Sequence, residues 1–146
     1  MTKNEFINEI VGCQYINRGY AFGGCDCWGL VYLYFKEVLN CIPSLTGEYL
    51  DGHEFTKAFQ AQLDMGEWEK VSNPSGGEVV FMMYNGDVAT HCGVMIDSIN
   101  CLHAFGNPET NQGQTVMWEL SQVKRFLRRT LEMSELPRVE FYKWQH

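Results

Sequence analysis

The stretch Gly19-Tyr20-Ala21-Phe22-Gly23-Gly24-Cys25-Asp26-Cys27-Trp28-Gly29-Leu30-Val31 changes character at Asp26. Before it, glycines read as a turn-rich approach. Asp26 is a good helix N-cap, because its short carboxylate can accept from backbone N–H groups of the first turn. After it, Cys27, Leu30, Val31, Tyr34, Phe35 and Val38 recur at helical spacing. This predicts an amphipathic helix that ends before Pro43, with Asn40 as its terminal residue. Cys27 therefore stands in the first turn, on the apolar face. A helix N-terminus carries roughly half a positive charge and unpaired N–H groups, and both favour thiolate over thiol. Such positions lower a cysteine pKa from ~8.5 to ~3.5–7.5.

Outward from this helix the pattern is helical upstream and strand-like downstream. Residues 3–13 read as a short helix with Phe6, Ile7, Ile10 and Val11 on one face. Residues 53–64 read as another, and Asn73-Pro74-Ser75-Gly76-Gly77 as a loop. Val79-Val80-Phe81-Met82 is a buried strand, followed by an Asn85-Gly86 turn signal. Residues 90–97, 101–105 and 114–118 read as further strands, 119–132 as a helix, and Arg138 to Trp144 as a closing strand. Helices followed by a mostly antiparallel sheet define an α+β fold.

The predicted sheet carries the partners that a nucleophilic thiol needs. His91 alternates onto one strand face with Gly93 and Met95, and Gly93 leaves room for a close approach. His103 lies on the next strand. A cysteine–histidine pair needs a third group to orient the imidazole, and His103 can be that group. A three-residue turn at Asp97-Ser98-Ile99 puts the two histidines on one face at diagonal positions. A two-residue turn puts them on opposite faces. The sequence leaves the turn open.

These residues match a family. Tyr20, Gly23-Gly24 and Asp26-Cys27-Trp28-Gly29-Leu30-Val31 resemble the nucleophile motif of NlpC-type cell-wall cysteine peptidases. His91-Cys92-Gly93-Val94-Met95 resembles their base motif, Leu102-His103-Ala104 the segment with their third polar residue, and Gly77-Glu78-Val79-Val80-Phe81 the strand before the base. The resemblance runs over about residues 5–145. It implies one papain-like domain over residues 1–146, with catalytic Cys27, His91 and His103, no cofactor and no metal. It implies hydrolysis of peptide bonds in peptidoglycan stem peptides. The mechanism it implies has Tyr20 helping to hold the oxyanion. Two residues depart from the family pattern: Gly19 stands where the family often has proline, and Glu78 where it usually has aspartate.

The Asp-Cys-Trp-Gly variant is most similar to the versions encoded by tailed phages. That likeness implies synthesis in a host cytoplasm, assembly with other tail-tip proteins into the virion, and action at the cell wall or periplasm. The expected contact surface is exposed loops such as 43–53 or 106–114, away from Cys27.

Composition narrows the alternatives. With 11 basic and 18 acidic residues the net charge is -7, which argues against nucleic acid or an anionic membrane as partner. The first twenty residues form no apolar signal core, and no run is long enough to span a membrane, so folding in a cytosol is expected. The six cysteines are then thiols, with Cys13, Cys41 and Cys101 as small buried hydrophobes and no role assigned to Cys25. His53 and His146 should face solvent, and Trp68, Trp118, Tyr142 and Trp144 should lie in the core or at its rim. Two rival readings remain. One is a metal site built from Cys25, Cys27, His91, Cys92 and His103, although Cys-x-Cys lacks the usual knuckle spacing. The other is a structural tail-tip protein that keeps an inactive hydrolase fold.

Overall fold

The computed structural model describes residues 1–42, 52–75 and 78–145. The expected helix stop at Pro43, most of the 43–53 loop, the end of the Asn73–Gly77 loop, Gly77 of the strand-start motif and His146 lie outside the described residues.

Helix α1 (Lys3–Ile10) is fixed at its start by a reciprocal cap between Thr2 and Glu5, and it buries Phe6 and Ile10. The short hairpin β1 (Tyr20–Ala21) and β2 (Gly24–Cys25) follows. Helix α2 (Cys27–Val38) starts where expected: Asp26 is its N-cap, and the Asp26 side chain accepts from the Gly29 N–H. Asn40 takes φ +54°, the left-handed conformation that often closes a helix. Trp28, Leu30, Val31, Leu33, Tyr34 and Phe35 are all buried. A helix apolar on nearly every side must be covered on every side. Phe6 of α1 meets Tyr34 edge-on at 5.3 Å. From α3 (Gly52–Asp64), Phe55 meets Trp28 at 5.3 Å.

The remaining side is the sheet, formed by β3 (Trp68–Val71), β4 (Val79–Asn85), β5 (Val88–Met95), β6 (Asn100–Gly106), β7 (Gly113–Glu119) and β8 (Arg138–Trp144). The strand order is β3-β8-β4-β5-β6-β7, and every pairing is antiparallel. Central β4 is buried from Val79 to Tyr84, because both its faces are covered. Val80, Met82, Cys92, Val94, Leu102 and Ala104 belong to the core shared with α2. Val79, Phe81, Met83, Met95 and Cys101 form a second core with Val123 and Leu127 of α4 (Leu120–Thr130). The α+β expectation is correct. It lacked β3 and the hairpin, and it did not foresee that β8 inserts between β3 and β4.

Two glycines set the start of α2 against the preceding loop. A Cβ on Gly29 would lie 1.8 Å from the Gly19 carbonyl oxygen, so the helix can approach this closely only without a side chain. A Cβ on Gly19 would meet the Gly24 carbonyl oxygen at 2.6 Å, and the Gly19 N–H donates to the Ile16 carbonyl at 2.8 Å. Proline at this position would lose that bond, having no N–H. The departure from the family pattern at Gly19 is thus dictated by local packing.

Candidate active site

The β5–β6 turn settles the question that the sequence left open. The Ile96 N–H donates to the Asn100 carbonyl at 2.9 Å, closing a three-residue connection over residues 97–99. Both Ile99 and Asn100 N–H groups donate to Asp97 Oδ1 at 2.7 Å. Val94 pairs with Leu102 and Met95 with Cys101. Carried one step further, this register sets Gly93 opposite His103 and makes His91 its diagonal neighbour on the same face. Gly93 is required there, since a Cβ would meet the Leu102 carbonyl oxygen at 2.3 Å and the Phe81 ring at 2.5 Å.

The paired register of β5 and β6 stops at Val94, although β5 starts at Val88 and β6 runs to Gly106. Past Val94 the two strands are linked through the histidine side chains, with His91 Nε2 lying 2.9 Å from His103 Nδ1. Cys27 brings its thiol to the same place from the N-terminus of α2. There the side chains of Cys92 and His91 and the Cys92 backbone are its electrostatic partners. With Nε2 committed to His103, His91 has Nδ1 left for the thiol.

The electrostatics follow from these contacts. The Cys92 side chain is the largest influence holding the Cys27 thiol well below the usual range. Burial opposes it, while the hydrogen bond and charge of His91 and the Cys92 backbone N–H reinforce it. Cys92 is pushed the other way, by its own burial and then by the neighbouring Cys27 sulfur. Only the thiol with a histidine beside it can ionise cheaply, so the pair holds one thiolate, on Cys27.

His103 is fully buried. Its ring packs 4.7 Å from Trp118 and 5.7 Å from Phe105, and Phe126 of α4 closes the aromatic box behind them. Burial, and then the charge of His91, lowers its pKa to about 2. His103 is therefore a neutral ring at any working pH. It can accept from the Nε2–H of a protonated His91, fixing the plane of that imidazole, but it cannot share the charge. Among the described residues His103 Nε2 has no partner.

The structure thus brings together Cys27, His91 and His103 of the expected site residues. Tyr20 stands apart: it is 61% exposed, packs edge-on against Tyr32 at 5.3 Å, and is absent from the described lining of the cavity beside Cys27. That cavity, of about 280 Å³, is lined instead by Tyr15, with Arg18, Asp26, Thr90, His91 and Cys92. Burial and the nearby Cys27, Asp26 and Cys92 raise the Tyr15 pKa, so its hydroxyl stays protonated. The sequence reading missed Tyr15, Arg18 and the contact of Cys92 with the nucleophile. Alternation offered one signal: if His91 faces one way, Cys92 faces α2.

The other expectations divide. Cys25 is buried, contacts the Thr115 hydroxyl at 3.6 Å and has its pKa raised to about 11, chiefly by burial. All six thiols are unbridged. Cys101 is buried as expected, but Cys13 and Cys41 are only half-buried. His53 is exposed. Trp68 and Tyr142 are core residues, while Trp118 serves the site by packing on His103. Glu78, at the surface just before β4, lies 3.7 Å from Lys143 Nζ. Among the described residues, no three His, Cys, Asp or Glu side chains converge as a metal site.

The NlpC/P60 family model matches residues 14–126, and the chain belongs to that family. Among solved structures it is similar to the crystal structure of the NlpC/p60 domain of the peptidoglycan hydrolase SagA. The TM-score is 0.58 and the identity 13%, over 97% of this chain and 95% of that one. That likeness is one of fold. No curated protein matches the chain.

Proposed function

We propose that this chain is a cysteine peptidase that hydrolyses peptide bonds in peptidoglycan stem peptides. Family membership supports the class, since NlpC/P60 members are cysteine peptidases acting on peptidoglycan. The observation that carries the reading is the Cys27 thiol, held low by Cys92 and His91, with His91 in turn bonded to His103. His91 takes the thiol proton, and the thiolate attacks the amide carbonyl. The tetrahedral oxyanion forms beside the Cys27 backbone N–H at the helix start. The proposal gives Tyr15, which lines the cavity, the donor role expected of Tyr20. One such donor is typically worth ~2.7–4 kcal/mol. His91 then protonates the leaving amine, and water hydrolyses the thioester.

The test is digestion of purified peptidoglycan, with the new ends identified by mass. Wild type should release new amine and carboxyl termini, and Cys27→Ala should release none while melting at the same temperature. Undiminished hydrolysis by Cys27→Ala would refute the assignment.

The place of action is proposed on the likeness to tailed-phage versions: a component of the virion tail tip, bound to other tail-tip proteins, that opens the wall locally during infection. Mass spectrometry of purified virions tests this. Finding the protein in lysates but never in intact particles would favour a free lytic enzyme.

A further inference from the structure

Arg18 is an exposed residue at the rim of the cavity that holds the reactive thiol, and its charge has no ion-pair partner among the described residues. It lines the cavity that contains Cys27 and His91, and among the described lining residues it is the only lysine or arginine. The chain as a whole carries a net charge of -7, so a single cation at this position is not a sample of a basic surface. The only carboxylate in the described lining is Asp26, and both its oxygens are occupied: Oδ1 accepts from the Gly29 N–H at 2.8 Å and Oδ2 from the Arg18 backbone N–H at 2.8 Å. The guanidinium itself has no ion-pair partner among the described residues.

The backbone adds a second, independent observation. Arg18 has φ +63°, a left-handed conformation that is unfavourable for an L-residue other than glycine or asparagine. Bonds on both sides fix it there: the Asn17 N–H donates to Asn111 Oδ1 at 2.9 Å, and the Gly19 N–H to the Ile16 carbonyl at 2.8 Å. Glycine or asparagine would satisfy this turn with less strain. A long cationic side chain at a strained position on the wall of the site is explained by what it meets there.

We infer that Arg18 is a specificity residue that recognises a free carboxylate next to the scissile amide of the peptide substrate. The planar guanidinium suits this, because it can engage a carboxylate through two parallel hydrogen bonds. The inference rests on the peptidase reading above and narrows it, from stem peptides in general to those carrying an unamidated carboxylate at that position.

The experiment compares two synthetic stem peptides that differ only in carboxylate or carboxamide beside the bond cleaved in whole peptidoglycan. Wild type should prefer the carboxylate by about five- to tenfold in kcat/KM, the range of a partly solvated charged hydrogen bond. Arg18→Asn keeps a residue that tolerates the left-handed backbone but removes the charge. It should lose the preference, with the change falling on KM for the carboxylate peptide. Arg18→Lys should retain part of the preference despite the strain. Melting temperatures check that both variants are folded. Equal cleavage of the two peptides by wild type, or an undiminished preference in Arg18→Asn, overturns the inference alone. A wild type that cleaves neither the peptides nor peptidoglycan overturns the peptidase reading, and the inference with it.

Discussion

His91 Nε2 and His103 Nδ1 are 2.9 Å apart, ring to ring between the neighbouring strands β5 and β6. The contact depends on the three-residue turn at 97–99, since one residue fewer would send the rings to opposite faces. In the proposed mechanism it leaves Nδ1 as the His91 nitrogen that serves the thiol.

Removing either histidine should therefore have unequal effects. His91→Ala loses the base itself, a loss of ~10²–10⁴-fold in kcat. His103→Ala loses only the alignment of that base and should retain more of the rate, and His103→Asn or Gln, which can still accept a hydrogen bond, more again. Single-turnover rates on one peptide rank the variants. A His103→Ala rate equal to wild type would mean that some other group orients His91.

Thiol reactivity should single out Cys27. Brief iodoacetamide treatment at about pH 6 followed by peptide mapping should label it first. Cys25 and Cys101 are buried, and burial holds their pKa values at about 11 and about 12. Cys92→Val removes the side chain that is the largest influence lowering the Cys27 thiol, so the pH profile of Cys27 alkylation should move to higher pH. A profile that stays in place would deny Cys92 its part in stabilising the thiolate.

Acid should weaken the fold through His103. Its folded pKa, about 2, lies below the ordinary 6.5, so the unfolded chain takes the proton first as pH falls. The stability it contributes is complete above about pH 6.5 and declines below it by about 1.4 kcal/mol per unit. Asp26 runs the other way: burial, then the Cys27 charge, raises it from 3.8 to about 6, so its contribution is present below 3.8 and is lost as pH rises through about 6. Urea melts of wild type and His103→Asn separate the two. The stability of wild type relative to the variant should fall between about pH 6 and about pH 4. A difference independent of pH would show that folded His103 binds the proton.

The two tyrosines make a direct comparison. Tyr15→Phe should lower kcat by about 10²-fold with little change in KM, the signature of a lost transition-state donor. Tyr20→Phe, altered at the exposed β1 hairpin, should stay within about twofold of wild type. The reverse order would return the oxyanion role to Tyr20.

The start of α2 was legible in the sequence because its determinants are local. Asp26 caps within three residues, and the apolar stripe from Cys27 to Phe35 needs only helical periodicity. The pairing of His91 with His103 was legible up to one turn length, because alternation fixes faces but not loop geometry. Tyr15 was not legible. It lies in an irregular segment without periodicity, positioned when Gln14 bridges to Gln114 of β7 and the Tyr15 N–H donates to the Gly113 carbonyl at 3.0 Å. Strand β3 was missed for a related reason. Its exposed Glu69 and Lys70 give no apolar alternation, and the strand exists because β8, from the far end of the chain, pairs with it.

The close approach of Gly29 to the Gly19 carbonyl has a consequence for the newly made chain. The same carbonyl accepts the Asp26 N–H at 3.1 Å, and Asp26 holds both Arg18 and Gly29. The helix start that presents Cys27 is therefore locked by its own upstream loop, while the groups that lower its pKa, His91 and Cys92, arrive only when β5 is in place. A ribosome-bound chain ending before β5 has the helix start but lacks the His91 and Cys92 groups that lower the Cys27 thiol. The complete Cys27 environment is therefore a product of long-range pairing and not of the helix start alone.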